Sequence, residues 1–64
     1  MEAIAYEVFY VDGCGDEHVL GMFITEPAPK EELRARMKGW IARVHGDEEA
    51  RKWEYYGPQY RIVE

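Results

Sequence analysis

One short stretch of the chain combines several residue types that carry chemistry. Cys14 lies between two glycines, and His18 follows four residues later. The acids beside them are Asp12, Asp16 and Glu17. Such a set could supply ligands for zinc, or a thiol and a base for nucleophilic catalysis.

Neither chemistry has enough partners in the sequence. A structural zinc site needs about four Cys, His or carboxylate ligands in a closed shell. Beyond Cys14 and His18 the chain offers only His45 from the Cys and His set, and it lies far along the sequence. A chain of 64 residues also leaves little room for a substrate cleft. We therefore expect no metal, no cofactor and no catalytic residue here, but the polar tip of a hairpin. A Cys14-dependent enzyme is the less favoured alternative.

The length and the cysteine count bound the class of protein. Sixty-four residues suffice for one domain, spanning 1–64. Such a domain buries only about 60% of its unfolded surface, so association is a natural stabiliser. A single cysteine cannot close an internal disulfide, which favours the cytoplasm. The first ten residues lack a basic region and carry Glu2 and Glu7, so we expect no signal peptide and no membrane span.

Charge is distributed unevenly along the chain. The net charge is −5, and residues 1–29 carry six acids without any Lys or Arg. Binding to nucleic acid depends on a basic footprint that neutralises phosphates, and an acidic first half opposes it. We therefore expect no direct nucleic-acid binding and no membrane partner. An acidic protein is instead attracted to basic surfaces of other proteins.

Two apolar segments predict a β-hairpin. Residues 3–11 are rich in β-branched and aromatic side chains and predict strand one, and residues 18–25 predict strand two. The glycines between them tolerate positive φ and favour a bulged or longer turn. Gly21, inside strand two, predicts a bulge or a close backbone contact.

The middle of the chain predicts one main helix. Pro29 suits the first position of a helix, and Gly46 suits its end. Apolar residues recur between them with helical spacing: Leu33, Met37, Trp40, Ile41 and Val44. Trp40 is central in this stripe, which predicts that it anchors the core. Asp47 could cap a short further helical turn, and residues 60–63 predict a third strand.

The order strand, strand, helix, strand predicts a topology. The helix returns the chain so that strands two and three run the same way. A right-handed crossover then places strand three beside strand one. The expected fold is α+β: a three-stranded antiparallel sheet of ββαβ connectivity and order 2-1-3, with one main helix on one face.

Both faces of this sheet read as apolar, although one helix can cover only one of them. A half-solvated antiparallel sheet should alternate apolar and polar residues. An uncovered apolar face usually marks an interface. We expect contact through the face near Phe9 and Phe23, or through the edge of strand three near Tyr60 and Ile62.

The function hypothesis is a non-enzymatic, small acidic module that binds a protein. Its partner would present a basic surface, as nucleic-acid-binding proteins do, and the module would inhibit or regulate that partner. Phage-type antagonists that imitate the charge of DNA have this size and sign of charge, which is an analogy of scale and charge only. The alternative is a homodimeric structural subunit without an inhibitory role. The expected partner contacts are Phe9, Asp12, Asp16, Glu17, Phe23, Tyr60 and Ile62.

Overall fold

The computed structural model describes residues 2–64, and these form three strands and two helices. In chain order they are β1 (Ile4–Val11), β2 (Glu17–Thr25), α1 (Lys30–Val44), α2 (Asp47–Tyr55) and β3 (Gln59–Ile62). Both β2 and β3 pair antiparallel with β1, so the sheet order is β2-β1-β3. The α+β class and the strand order 2-1-3 are confirmed.

The second helix is longer than the sequence indicated. Instead of a single short turn, α2 has nine residues and begins immediately after Gly46, which has φ of 100°. Its first turn carries three acids, where the helix dipole favours negative charge. Trp53 on its inner side is only 1% exposed, and its indole Nε1 donates to the Gln59 carbonyl oxygen at 3.1 Å. The connectivity is therefore ββααβ, and α2 shares the covering of the sheet.

The core lies between the two helices and one face of the sheet. From α1 it takes Leu33, Met37 and Ile41, and from α2 Ala50 and Trp53. The sheet contributes Tyr6, Val8, Tyr10 and Leu20. The predicted stripe of α1 is correct at its centre but too wide, because Val44 is 59% exposed. Trp40 packs at the margin of the core, half-buried, and is not the anchor that its position in the stripe predicted.

A bulge in β2 changes which side chains share a face. The strands pair in regular register from Ile4, opposite Thr25, to Val8, opposite Gly21. The next residue of β1, Phe9, pairs with Val19, so Leu20 is the extra residue of the bulge. A bulge of this kind shifts the alternation of the strand by one residue. Gly21, with φ of 134°, lies in this irregular segment, and the Trp40 ring covers it. The prediction that Gly21 marks a bulge and a close approach is confirmed.

No helix within residues 2–64 has the length and apolar character needed to cross a membrane.

Candidate functional site

The register of the sheet defines the face that points away from the helices, here called the outer face. Residues paired across antiparallel strands point to the same side, and successive residues alternate. Tyr6, Val8 and Tyr10 face the core. The outer face therefore carries Ala5, Glu7, Phe9, Val11, Glu17, Val19, Met22, Ile24, Gln59 and Arg61.

Three apolar side chains on the outer face are open to solvent. Val19, Met22 and Ile24 are 50%, 56% and 60% exposed, and all three belong to β2. We call them the β2 ridge. Since β2 pairs with β1 on one side only, its other side is an edge of the described sheet. Backbone groups alternate in direction along an antiparallel strand. Ala5 directs its carbonyl oxygen away from β2, where it accepts the Val63 N–H at 2.9 Å, so its partner Ile24 and the other outward residues of β2 direct their N–H and C=O groups to the free edge.

An ion-pair network covers the aromatic residue of the outer face, Phe9. The guanidinium carbon of Arg61 lies 4.3 Å from the centroid of the Phe9 ring. Arg61 also bonds Glu17 at 3.2 Å through two nitrogens and contacts Glu7 closely. These hydrogen bonds, to Glu17 first and then to Glu7, raise the pKa of Arg61. Phe9 is consequently only 8% exposed, and Glu17 is neutralised locally.

Asp12 organises the tip of the hairpin. Its Oδ1 accepts the backbone N–H groups of Cys14 at 2.9 Å and Asp16 at 3.0 Å. Its Oδ2 lies 2.7 Å from Nε2 of His18. The bond to His18, and then the backbone N–H of Asp16, lower the pKa of Asp12. Asp12 therefore acts as a turn-forming residue, whereas Asp16 is exposed and open to a partner.

Cys14 and the two histidines of the chain make separate contacts in the structure. His18 bonds Asp12 and stacks on Tyr10, with ring centroids 4.8 Å apart. His45 bonds the Leu20 carbonyl oxygen at 2.5 Å. Cys14 is a free, exposed thiol. Across residues 2–64 no group of three His, Cys, Asp or Glu side chains is placed to hold a metal ion.

The other predicted contact residues are dispersed over the molecule. Strict alternation along residues 18–25 predicts that Phe23 and Val19 point to the same face of the sheet. The bulge instead puts Phe23 opposite Tyr6 on the core side, where it packs against Trp40. Phe9 and Phe23 therefore do not share a face. Tyr60 also points to the core side and meets Tyr6 edge-to-face. Ile62 is exposed on the short strand β3.

Sequence reasoning missed the β2 ridge as a unit. Strict alternation along residues 18–25 predicts that Met22 and Ile24 lie on the same face as Leu20, but Leu20 is buried. Gly21 was the available signal, because a glycine within a strand indicates a possible change of register. Arg61 was missed altogether, since its partners Glu7 and Glu17 lie 54 and 44 residues away.

The sequence was compared with models of protein families and with curated proteins, and the fold with solved structures; none of the three comparisons found a match.

Proposed function

We propose that this protein is a non-enzymatic binding module that docks the β2 ridge on a basic surface of a partner protein. The carrying observation is the ridge itself: three exposed apolar side chains beside a free strand edge, in a segment with acids at both ends. Val19, Met22 and Ile24 lie between Asp16 and Glu26.

The exposed apolar side chains of the β2 ridge favour burial against a partner. A 64-residue domain has a small core, and contiguous exposed apolar side chains are costly in water. An open edge strand also offers unpaired backbone groups to another chain. Contact with a partner satisfies both needs at the same place, since the outward side chains and the free backbone groups belong to the same residues.

The acidic charge around the β2 ridge favours a partner with a basic surface. Between Asp12 and Glu26 the chain has no Lys or Arg. Tyr10 donates its hydroxyl to Glu49 at 3.3 Å, which brings the acidic first turn of α2 to the same end of the molecule as the hairpin tip. A partner with a basic rim around an apolar patch complements this distribution, and opposite charges accelerate association.

The role we assign is regulation or inhibition of a nucleic-acid-binding protein. Such proteins carry basic surfaces that attract phosphates. An acidic module with net charge −5 competes for the same surface. A cytoplasmic setting belongs to the proposal, because an exposed free thiol such as Cys14 persists where thiols are kept reduced.

The test uses a pair of variants matched in exposure. Ile24→Lys places a charge on the β2 ridge, and Val44→Lys places the same charge on the helical side; these residues are 60% and 59% exposed. We expect wild-type protein and Val44→Lys to capture the same basic, nucleic-acid-binding proteins from lysate at low salt. Ile24→Lys should lose them, and added DNA should displace them.

Cys14→Ser provides the control for the enzymatic alternative. It should leave capture unchanged, because the thiol lies outside the ridge. Equal capture by the Ile24→Lys and Val44→Lys proteins, or captured proteins without basic surfaces, would refute the proposal.

The free edge also favours a second candidate, a homodimeric structural subunit. Two copies of β2 can pair antiparallel and continue the sheet across a two-fold axis. The ridges of both copies would then lie side by side on one outer face. Salt separates the candidates, because docking of opposite charges weakens as salt rises whereas apolar self-association does not.

A further inference from the structure

A groove of about 330 Å³ lies between the start of α1 and the start of β3, remote from the β2 ridge in the sheet order. Its lining residues are Lys30, Arg34, Pro58, Gln59 and Tyr60. Two of the eight Lys and Arg residues of an acidic chain therefore meet in a single concave site. The rest of the lining comes from Pro58, Gln59 and Tyr60.

Neither cation of the groove forms a salt bridge with the part of the chain that the structure describes. Lys30 and Arg34 are four residues apart on α1, so they are neighbours on one side of the helix. Within residues 2–64 neither takes part in a salt bridge; the bases that do are His18, Arg36, Lys38, Lys52 and Arg61. Like charges at this spacing repel each other, and an anion bound between them removes that repulsion.

Arg34 carries a second, independent sign of a missing ligand. Its Nε atom is buried, and among the described residues it has no hydrogen-bond partner. Buried donors in folded proteins are nearly always bonded, because an unsatisfied donor loses its hydration without compensation. The guanidinium fork of arginine matches the oxygens of carboxylates and phosphates.

We propose that this groove binds the phosphate group of a small phosphate monoester. Two cations match a phosphate monoester, whose charge approaches −2 above its second pKa of about 6, better than they match a carboxylate. The phosphate would lie between the Lys30 ammonium and the Arg34 guanidinium. Tyr60 and Pro58 would contact the organic part of the ligand.

The net charge of −5 does not prevent binding at this place. At physiological ionic strength the screening length is about 8 Å, so distant acids act weakly on an ion in the groove. The bases that line the groove act at contact distance. Lys30 is also the first residue of α1, where the helix dipole adds positive potential against the nearby acids Glu31 and Glu32.

The test is an NMR titration of backbone amides at constant ionic strength, with inorganic phosphate, phenyl phosphate and benzoate as probes. We expect saturable shifts centred on Lys30, Arg34, Gln59 and Tyr60. Phenyl phosphate should bind more tightly than inorganic phosphate, because its ring contacts Tyr60 and Pro58. Benzoate, which carries one charge, should bind most weakly.

Two double variants with equal charge change provide the control. Lys30→Gln with Arg34→Gln should weaken phenyl phosphate binding at least about tenfold, the loss expected for charged hydrogen bonds. Arg43→Gln with Arg51→Gln removes two exposed bases elsewhere and should leave affinity unchanged. If the first double variant fails to fold, Lys30→Gln alone, at an exposed position, should still weaken binding.

Three results would overturn the assignment. The first is shifts spread evenly over all basic residues, or equal in both double variants. The second is benzoate binding as tightly as phenyl phosphate. The third is binding to phosphatidic acid vesicles without binding to phenyl phosphate, since that would assign the phosphate to a membrane surface and not to a small ligand. None of these outcomes depends on the β2 ridge.

Discussion

The two tryptophans show how strongly the surroundings of a residue determine its contribution to the stability of the fold. Trp40 and Trp53 are both large and both helical, but Trp53 is fully enclosed by the core and hydrogen-bonded, whereas Trp40 lies half-buried over Gly21. Truncation of a buried aromatic removes its transfer free energy and leaves a cavity. A half-buried ring at the margin leaves space that water can enter.

We predict that Trp53→Ala lowers the free energy of unfolding by about 3–5 kcal/mol, the range for large buried aromatics. Much of the stability of a small domain would be lost, since totals of about 5–15 kcal/mol are usual. Trp40→Ala should cost less, and Tyr55→Ala, on the same helix as Trp53 but 82% exposed, should change stability by less than about 0.5 kcal/mol. Urea denaturation measures all three. A larger loss for Trp40→Ala than for Trp53→Ala would contradict this ranking.

At the scale of elements, the hairpin depends on one irregular segment. The bulge at Leu20 and Gly21 buries Leu20 while it turns Met22 and Ile24 outward. Gly21 has φ of 134°, a conformation that side chains with a Cβ rarely adopt. A Cβ there would also lie 3.3 Å from Cη2 of Trp40. The bulge, and with it the β2 ridge, therefore requires a glycine.

We predict that Gly21→Ala destabilises the protein by about 1–3 kcal/mol, the cost of holding a non-glycine residue in such a conformation. Gly39→Ala is the matched control. Gly39 lies within α1 with open space where a Cβ would go, so alanine should stabilise by up to about 1 kcal/mol through helix propensity. Thermal unfolding of both variants measures whether the first change lowers stability and the second raises it. A neutral or stabilising Gly21→Ala would show that the bulge tolerates a side chain.

At the scale of the whole molecule, the sheet is covered on one side only. Both helices pack on the core face, and the outer face of the described chain ends in the exposed β2 ridge. On the same face, Arg61 and its two glutamates cover Phe9. The molecule thus combines the apolar β2 ridge with an excess of negative charge. Added salt screens the repulsion between the negative charges of two copies, but it does not weaken contact between their apolar ridges.

We predict that the purified protein self-associates weakly at high concentration, and more strongly as salt rises. Repulsion between two copies of charge −5 is screened by salt, whereas burial of the ridge is not weakened by it. Sedimentation velocity over a wide concentration range at low and high salt measures this. Ile24→Lys should remain monomeric, and Val44→Lys should behave as wild type. A monomer in all conditions would leave a partner protein as the only cover for the ridge.

The sequence alone determined the three strands and α1, and through them the topology. The β-branched and aromatic content of residues 3–11 and the helical period from Leu33 to Ile41 are local signals, since each depends on neighbours along the chain. Pro29 and Gly46 bound α1 for equally local reasons of backbone geometry. The strand order then followed from the handedness of the crossover between parallel strands, which holds for nearly all sheets.

The tertiary structure alone decided which side chains are together. Arg61 meets Glu7 and Glu17, and the groove joins Lys30 and Arg34 to Gln59 and Tyr60, across separations that no local pattern encodes. The bulge shifted half of β2 to the other face, so the prediction that Phe9 and Phe23 share one face was wrong. Alternation is a property of a regular strand, but one extra residue reverses it, and only packing against the partner strand and Trp40 decides where that residue lies.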